Sequence, residues 1–163
     1  MNAIEKGINT LNEQVGFWAS FLMLPLIIVV AWEVVMRYVF HAPTVWAFEM
    51  TAFLYGTHYM LGLGYAYKYD SHVCIDVFTA RAAPKKQAVI RLFMHFVFFL
   101  PVMGMFAVGG IIFAANSWAV WEANSTSWAP ALYPYKTFQA IGFVLLALQG
   151  VVKVLEDFRT LKA

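Results

Sequence analysis

The sequence predicts an all-α polytopic membrane protein with four transmembrane helices, both termini in the cytoplasm, and short interfacial amphipathic helices. Three observations predict it. Four long apolar stretches fill most of the 163 residues, separated by short breaks. Hydrophobic residues make up 62% of the chain and charged residues 12%, where a soluble domain has about 45–50% and about 25%. A core of this size cannot hide so much apolar surface, so lipid must cover much of it. The positive charge is also sorted by side. Lys6 lies at the N-terminus, Lys68, Arg81, Lys85, Lys86 and Arg91 in the middle break, and Lys153, Arg159 and Lys162 at the C-terminus, against only Arg37 and Lys136 opposite. That bias puts both ends and the middle loop in the cytoplasm. The simplest organisation is one membrane domain, residues 1–163.

Residues 1–14 are polar, with Ile4, Ile8, Leu11 and Val15 at helical spacing. They read as an amphipathic lead-in near the membrane surface. Lys6 is accompanied by Glu5 and Glu13, and no small-residue cleavage pattern follows, so the first span is expected to be retained and not to act as a secretory signal. Span 1 covers about 15–38, and Pro25 inside it predicts a kink. Span 2 covers about 45–67, after His41-Ala42-Pro43-Thr44, with Thr44 as the expected N-cap. Span 3 covers about 88–121. At ~1.5 Å per residue it is near ~50 Å, longer than a ~30 Å hydrocarbon core. Pro101, Gly104, Gly109 and Gly110 are its expected bending points. Span 4 covers about 134–155, with Pro134 at a favoured first helical position.

Several function classes are disfavoured. No Lys/Arg stripe interleaves with aromatics, so no nucleic-acid partner is expected. Cys74 is the single cysteine, which rules out an intrachain disulfide or a Cys-type zinc site. There is no G-x-x-x-x-G-K-[ST], no H-E-x-x-H and no nucleophile elbow, and no soluble domain to house an active site. An enzyme is therefore not expected, and no cofactor is assigned. Asp70, His72 and Asp76 lie close together, but three ligands without a fourth make a poor metal site. Asp76 with Val73, Val77 and Ala80 reads better as a short interfacial helix, held at the headgroups by Arg81, Lys85 and Lys86. Trp118, Trp121 and Trp128 bracket the outer loop as interfacial anchors.

Most ionisable residues of the spans lie near the span ends, with His58 and His95 the main exceptions. Glu33 and Arg37, four apart near the outer end of span 1, can pair on one helix face. Trp46 and Glu49 open span 2, and Glu49 is placed to meet Arg37 across the short hairpin. A clamp of Glu33, Arg37 and Glu49 is the favoured reading. A proton relay is the sharper alternative, yet neither glutamate lies mid-membrane, where a small antiporter needs its carboxylate. His58 and His95 fall at matching depths, as two axial ligands of a b-type haem would. Without a second matched pair, they read as well as hydrogen-bonding partners of neighbouring helices. Thr51, Tyr55, His58, Gly62 and Tyr65 in span 2, and Gln139, Gly142 and Gln149 in span 4, read as packing faces. No span is visibly broken by paired Gly/Pro at corresponding positions, so a substrate path within this chain is not expected.

Arg37, Trp46 and Glu49, then Leu61-Gly62-Leu63-Gly64-Tyr65-Ala66, then His72-Val73-Cys74-Ile75-Asp76, follow one another in a familiar order. With Ser127-Trp128-Ala129-Pro130 through Tyr133-Pro134, they resemble the small, Q-type (DctQ-like) membrane subunit of the tripartite ATP-independent periplasmic (TRAP) transporters. The resemblance covers nearly the whole chain. It implies a non-catalytic permease subunit in the bacterial inner membrane, part of a sodium-coupled importer of an organic acid anion. A periplasmic substrate-binding protein (P-type) would deliver the anion. A large multi-span subunit (M-type) would carry the substrate and sodium sites and move them by an elevator motion. The small subunit would widen and anchor the large subunit's static scaffold and help dock the binding protein. Arg37, Trp46, Glu49, His72 and Asp76 match the family pattern; with Glu33 they take structural and interface roles. The alternatives are a haem b-binding membrane anchor of a respiratory complex, through His58 and His95, or a stand-alone small transporter.

Overall fold

A computed structural model describes residues 3–71 and 84–162. Its elements are α1 (Ala3–Ser20), α2 (Met23–Tyr38), α3 (Ala47–Lys68), α4 (Pro84–Met94), a π turn (His95–Phe99), α5 (Leu100–Ala119) and α6 (Tyr133–Lys162). No strand occurs among the described residues, apart from one isolated bridge, Ala123 to Ala131. Three helical stretches are long and apolar enough to cross a bilayer: Ala3–Tyr38, Lys85–Ala119 and Tyr133–Leu161. That is one fewer than the four spans read from the sequence. The difference is α3. Its 22 residues reach about 33 Å at ~1.5 Å per residue, enough to span. Its composition is diluted by Glu49, Thr51, Thr57, His58 and a series of tyrosines.

The two mid-span prolines act one turn upstream of themselves. Pro25 lies inside α2, and the break falls at Phe21 and Leu22. A proline cannot donate to the carbonyl four residues back, and its ring crowds that carbonyl. The Phe21 carbonyl instead takes the Leu24 N–H at 3.1 Å, a tighter three-residue turn. Pro101 behaves alike. The chain before it widens into the π turn, closed by the Leu100 N–H on the His95 carbonyl. Gly104, Gly109 and Gly110, also expected to bend span 3, lie in regular helix. Thr44 is not the cap of α3. Trp46 holds that position without a side-chain bond, while Thr44, two residues earlier, donates both its N–H and its hydroxyl to the Glu33 carboxylate.

The helices pack in a row: α2 on α3, α3 on α6, α6 on α5. Among the described residues α2 and α5 share no packed interface, so the row stays open. On the axis of α6, α4 prolongs α5, while α1 packs on both α3 and α6. The lead-in forms an amphipathic helix. Its inward face is Glu5, Asn12, Gly16 and Ala19, while Ile4 is 74% exposed and Leu11 46%. In lipid this arrangement is favourable, because polar groups find partners only among other helices.

The expected packing faces divide between two neighbours. His58 and Tyr65 turn to α1, at Ala19 and Gly16. A second stripe of α3, Phe53, Gly56, Met60 and Gly64, meets α6. The closest approach to a neighbouring backbone is at Gly142, where an added Cβ would stand 2.5 Å from the Met60 carbonyl oxygen. Gly62, expected in the packing face, would meet nothing within 4 Å. Gly142→Ala should therefore push α3 off α6 and lower stability by about 1–3 kcal/mol. Gly62→Ala should be neutral or stabilising by up to about 1 kcal/mol, since alanine is the better helix former. Thermal unfolding of the two variants in detergent checks the pair; equal midpoints would refute the close approach.

Candidate interaction surface

Polar side chains gather in two layers, one at each end of the row. In the layer holding the termini, Asn12 Nδ2 donates to Gln149 Oε1 at 2.8 Å. Gln149 Nε2 in turn donates to Asn9 Oδ1 at 2.9 Å. Gln149 is 1% exposed and Asn12 0%, and Asn12 Nδ2 also donates to the Ile8 carbonyl of its own helix at 3.3 Å. Interhelical bonds of this kind contribute roughly 0.6–2 kcal/mol each. Around them run Arg159 to Glu5 at 2.5 Å, Lys153 to Asp70 at 2.8 Å, Arg91 to Asp157 at 2.8 Å, and Lys68 to Glu13. These pairs tie α1, α3, the start of the middle break and α4 to one another and to α6. Glu5 bonding to Arg159 also means that the two ends of the chain lie at the same end of the row.

His58 and His95 both enter hydrogen bonds. His58 Nδ1–H donates to the Ala19 carbonyl at 2.9 Å, beside the break between α1 and α2. His95 Nδ1–H donates to the Arg91 carbonyl at 2.7 Å, and its Nε2 accepts from the Tyr67 hydroxyl at 2.6 Å. Both His95 nitrogens are thus occupied, and each histidine ties its helix to a neighbour. Among the described residues no group of three or more His, Cys, Asp or Glu side chains converges as metal ligands would.

At the opposite end the Glu33 carboxylate is the hub. Oε1 accepts from Arg37 Nε at 3.1 Å and from its terminal nitrogen at 2.5 Å. Oε2 accepts the Thr44 N–H at 3.1 Å and the Thr44 hydroxyl. Glu33 therefore staples the end of α2 to the turn entering α3. Glu49 is not part of this clamp. It is 6% exposed, and its Oε2 has no partner among the described residues. The reason is its place on the helix: Glu49 precedes by one turn Phe53, which stacks on Tyr135 of α6 at 4.9 Å. Trp46 stands half-buried at the start of α3. His72 and Asp76 lie outside the described residues.

A second staple at this end was not read from the sequence. Lys136, 8% exposed, pairs with Glu122 and lies 3.8 Å from the centre of the Phe113 ring. The loop between them is drawn shut by Leu132 N–H on the Glu122 carbonyl and Asn124 N–H on the Pro130 carbonyl, each 2.9 Å. Trp118 packs on Tyr133 at 4.2 Å and donates from Nε1 to the Thr137 hydroxyl at 2.9 Å. The available signal was compositional: Lys136 is the only lysine on its side, and Glu122 is the nearest acid across the loop.

Between the polar layers the flanks are apolar and open. Among its own residues α2 buries only Leu26. The most apolar eighteen residues of Lys85–Ala119 bury none. Ile27, Ile28, Met105, Val108 and Ile112 all stand more than half exposed. Such flanks fit lipid or another membrane helix, not water.

Apolar helices of bilayer length, with polar side chains turned inward, define a helical membrane protein. The chain belongs to the family described as tripartite ATP-independent periplasmic transporters, DctQ component, whose model matches residues 26–160. It is the small component of a TRAP transporter, a membrane transport protein. A search of curated proteins gave no match.

The 122–133 loop carries a pH dependence. The hydrogen bond from Lys136 holds the Glu122 carboxyl below its ordinary range. A carboxyl lowered on folding contributes stability above its unfolded pKa, near 4.3, that is lost as pH falls through the lower folded value. Hydrogen exchange of the 122–133 segment, corrected for intrinsic rates, should be constant from about pH 7 to about pH 5 and rise only below about pH 4. In Glu122→Gln that step should vanish. A wild-type profile without the acid step would refute the ion pair as the loop's closure.

Proposed function

We propose that this chain is the non-catalytic small permease subunit of a sodium-coupled symporter that imports an organic acid anion. Its partners are a large multi-span subunit, which carries the substrate and sodium, and a periplasmic substrate-binding protein. The chain's own part is to anchor and widen the static scaffold of the large subunit. The observation that carries this reading is the family match over residues 26–160. The open row adds a physical reason. A closed bundle buries its apolar faces on itself, whereas a row offers whole helix flanks to a second membrane protein. Among the described residues the breaks inside the helices are one α1–α2 turn and one π turn, not the facing pair of broken helices from which carrier sites are built.

In this reading α3 is the fourth span, lying between two helices that cross the bilayer and joining loops on opposite sides. The ends and the middle loop face the cytoplasm, the 122–133 loop faces the periplasm, and residues 1–163 act as one membrane domain. Glu33, Arg37 and Trp46 brace the outer end, and Glu49 backs the α3–α6 contact.

Two measurements test the proposal. Proteoliposomes holding the large subunit, supplied with the binding protein and an inward sodium gradient, should take up the anion only when this chain is present. Uptake at full rate without it, or by this chain alone, would refute the subunit role. The orientation has its own test in Cys74. A membrane-impermeant maleimide should label it in inside-out vesicles and leave it unlabelled in spheroplasts; the reverse pattern would invert the assignment.

A further inference from the structure

A groove of about 390 Å³ opens sideways between the inner end of α3 and the π turn, walled by Tyr67, Met94, His95, Phe98, Phe99 and Val102. Its polar groups are satisfied within the protein, since Tyr67 donates to His95 and His95 to the Arg91 carbonyl. What remains facing outward is aromatic and aliphatic, which suits a hydrocarbon occupant. Residues four apart drift about 40° per step around a regular α-helix. The wider π turn cancels part of that drift, and Met94, Phe98 and Val102 line one groove.

Toward the helix start, a second open groove is lined by Lys85, Lys86, Val89 and Ile90. The ion pairs of the described residues take up Arg37, Lys68, Arg91, Lys136, Lys153 and Arg159. Lys85 and Lys86 enter none of them, nor does Lys6 near the other end of the chain. Two adjacent exposed cations without an ion-pair partner among the described residues, beside an apolar groove, are complementary to an amphiphile with a negative head. The spacing agrees. Lys86 to Phe98 is twelve residues, about 18 Å along the helix at ~1.5 Å per residue. One leaflet of hydrocarbon is about 15 Å, half of the ~30 Å core.

We propose that these two grooves form one site for an anionic phospholipid of the bilayer. The phosphate sits at Lys85 and Lys86, and an acyl chain lies along Met94, Phe98 and Val102 over the Tyr67–His95 pair. The site needs only that the chain is embedded in a membrane, and it stands apart from the transport reading.

Spin-labelled phosphatidylglycerol and phosphatidylcholine, compared by electron paramagnetic resonance, test it on the full chain in nanodiscs and on its complex with the large subunit. Motionally restricted phosphatidylglycerol should associate on the order of ten-fold more tightly than phosphatidylcholine. The double variant K85Q/K86Q should fall to the phosphatidylcholine level, while K6Q keeps the preference. V102W, which fills the groove, should reduce the restricted fraction of both lipids. Equal association of the two lipids, a preference that survives K85Q/K86Q, or its loss when the large subunit binds would overturn the site. The last outcome would assign the groove to a protein contact.

Discussion

Gln149 is the residue on which the rest of the row depends. It lies on α6, the helix against which α1, α3, α4 and α5 all pack, and it is 1% exposed. In an apolar surrounding its amide has to be satisfied by side chains, because no water is at hand. Asn9 and Asn12 supply both halves of the answer. That fixes which face of α1 turns inward and, through the same helix, the rotation that brings Gly16 against Tyr65. The ion pairs nearer the ends then follow. Each joins a partly exposed group to a partner that in Glu5 and Asp157 is buried; their effect is to hold a register already chosen by the buried amides.

The two prolines set the shape that this register has to accommodate. Each shifts the distortion one turn toward the N-terminus, and each distortion leaves a carbonyl or side chain free for a neighbour. At the first, the Ala19 carbonyl serves both the Leu22 N–H and His58. At the second, the π turn brings His95 to Tyr67 and Phe99 to the bare surface of Gly150. A helix bend in lipid is tolerated when a neighbouring helix satisfies what it exposes. Here α3 does so at both places.

Much of this was legible in the chain and some was not, for reasons that particular residues make plain. The helices 15–38, 45–67 and 134–155 were visible because lipid-facing surface leaves long apolar runs. The Glu33–Arg37 pair was visible because four residues make one helical turn. Glu49 was assigned to the wrong neighbour: spacing along α3 gives its angle on that helix, but not whether α2 or α6 lies at that angle. The lead-in's helical spacing marked its apolar stripe, which turns away from the other helices at Ile4 and Leu11, but not the partners of its polar stripe. In a membrane the polar stripe of Glu5 and Asn12 is the one that needs company. Glu122 and Lys136 meet because a loop closes, and closure depends on backbone geometry such as the left-handed Trp121 and Ala129, with φ of 49° and 48°. Side-chain types there do not announce it.

The openness of the row has a consequence for how such a chain can change over generations. Burial is graded from centre to edge: 44% of the most apolar stretch is buried in α6, 11% in the stretch running through α1 and α2, and none in Lys85–Ala119. Substitutions on α6 meet several neighbours at once, whereas those on the outer flanks of α2 and α5 meet only lipid tails, to which one aliphatic side chain is much like another. Those flanks are free to drift wherever lipid alone touches them. Positions along them that hold steady across a lineage would trace the outline of whatever protein sits beside the row.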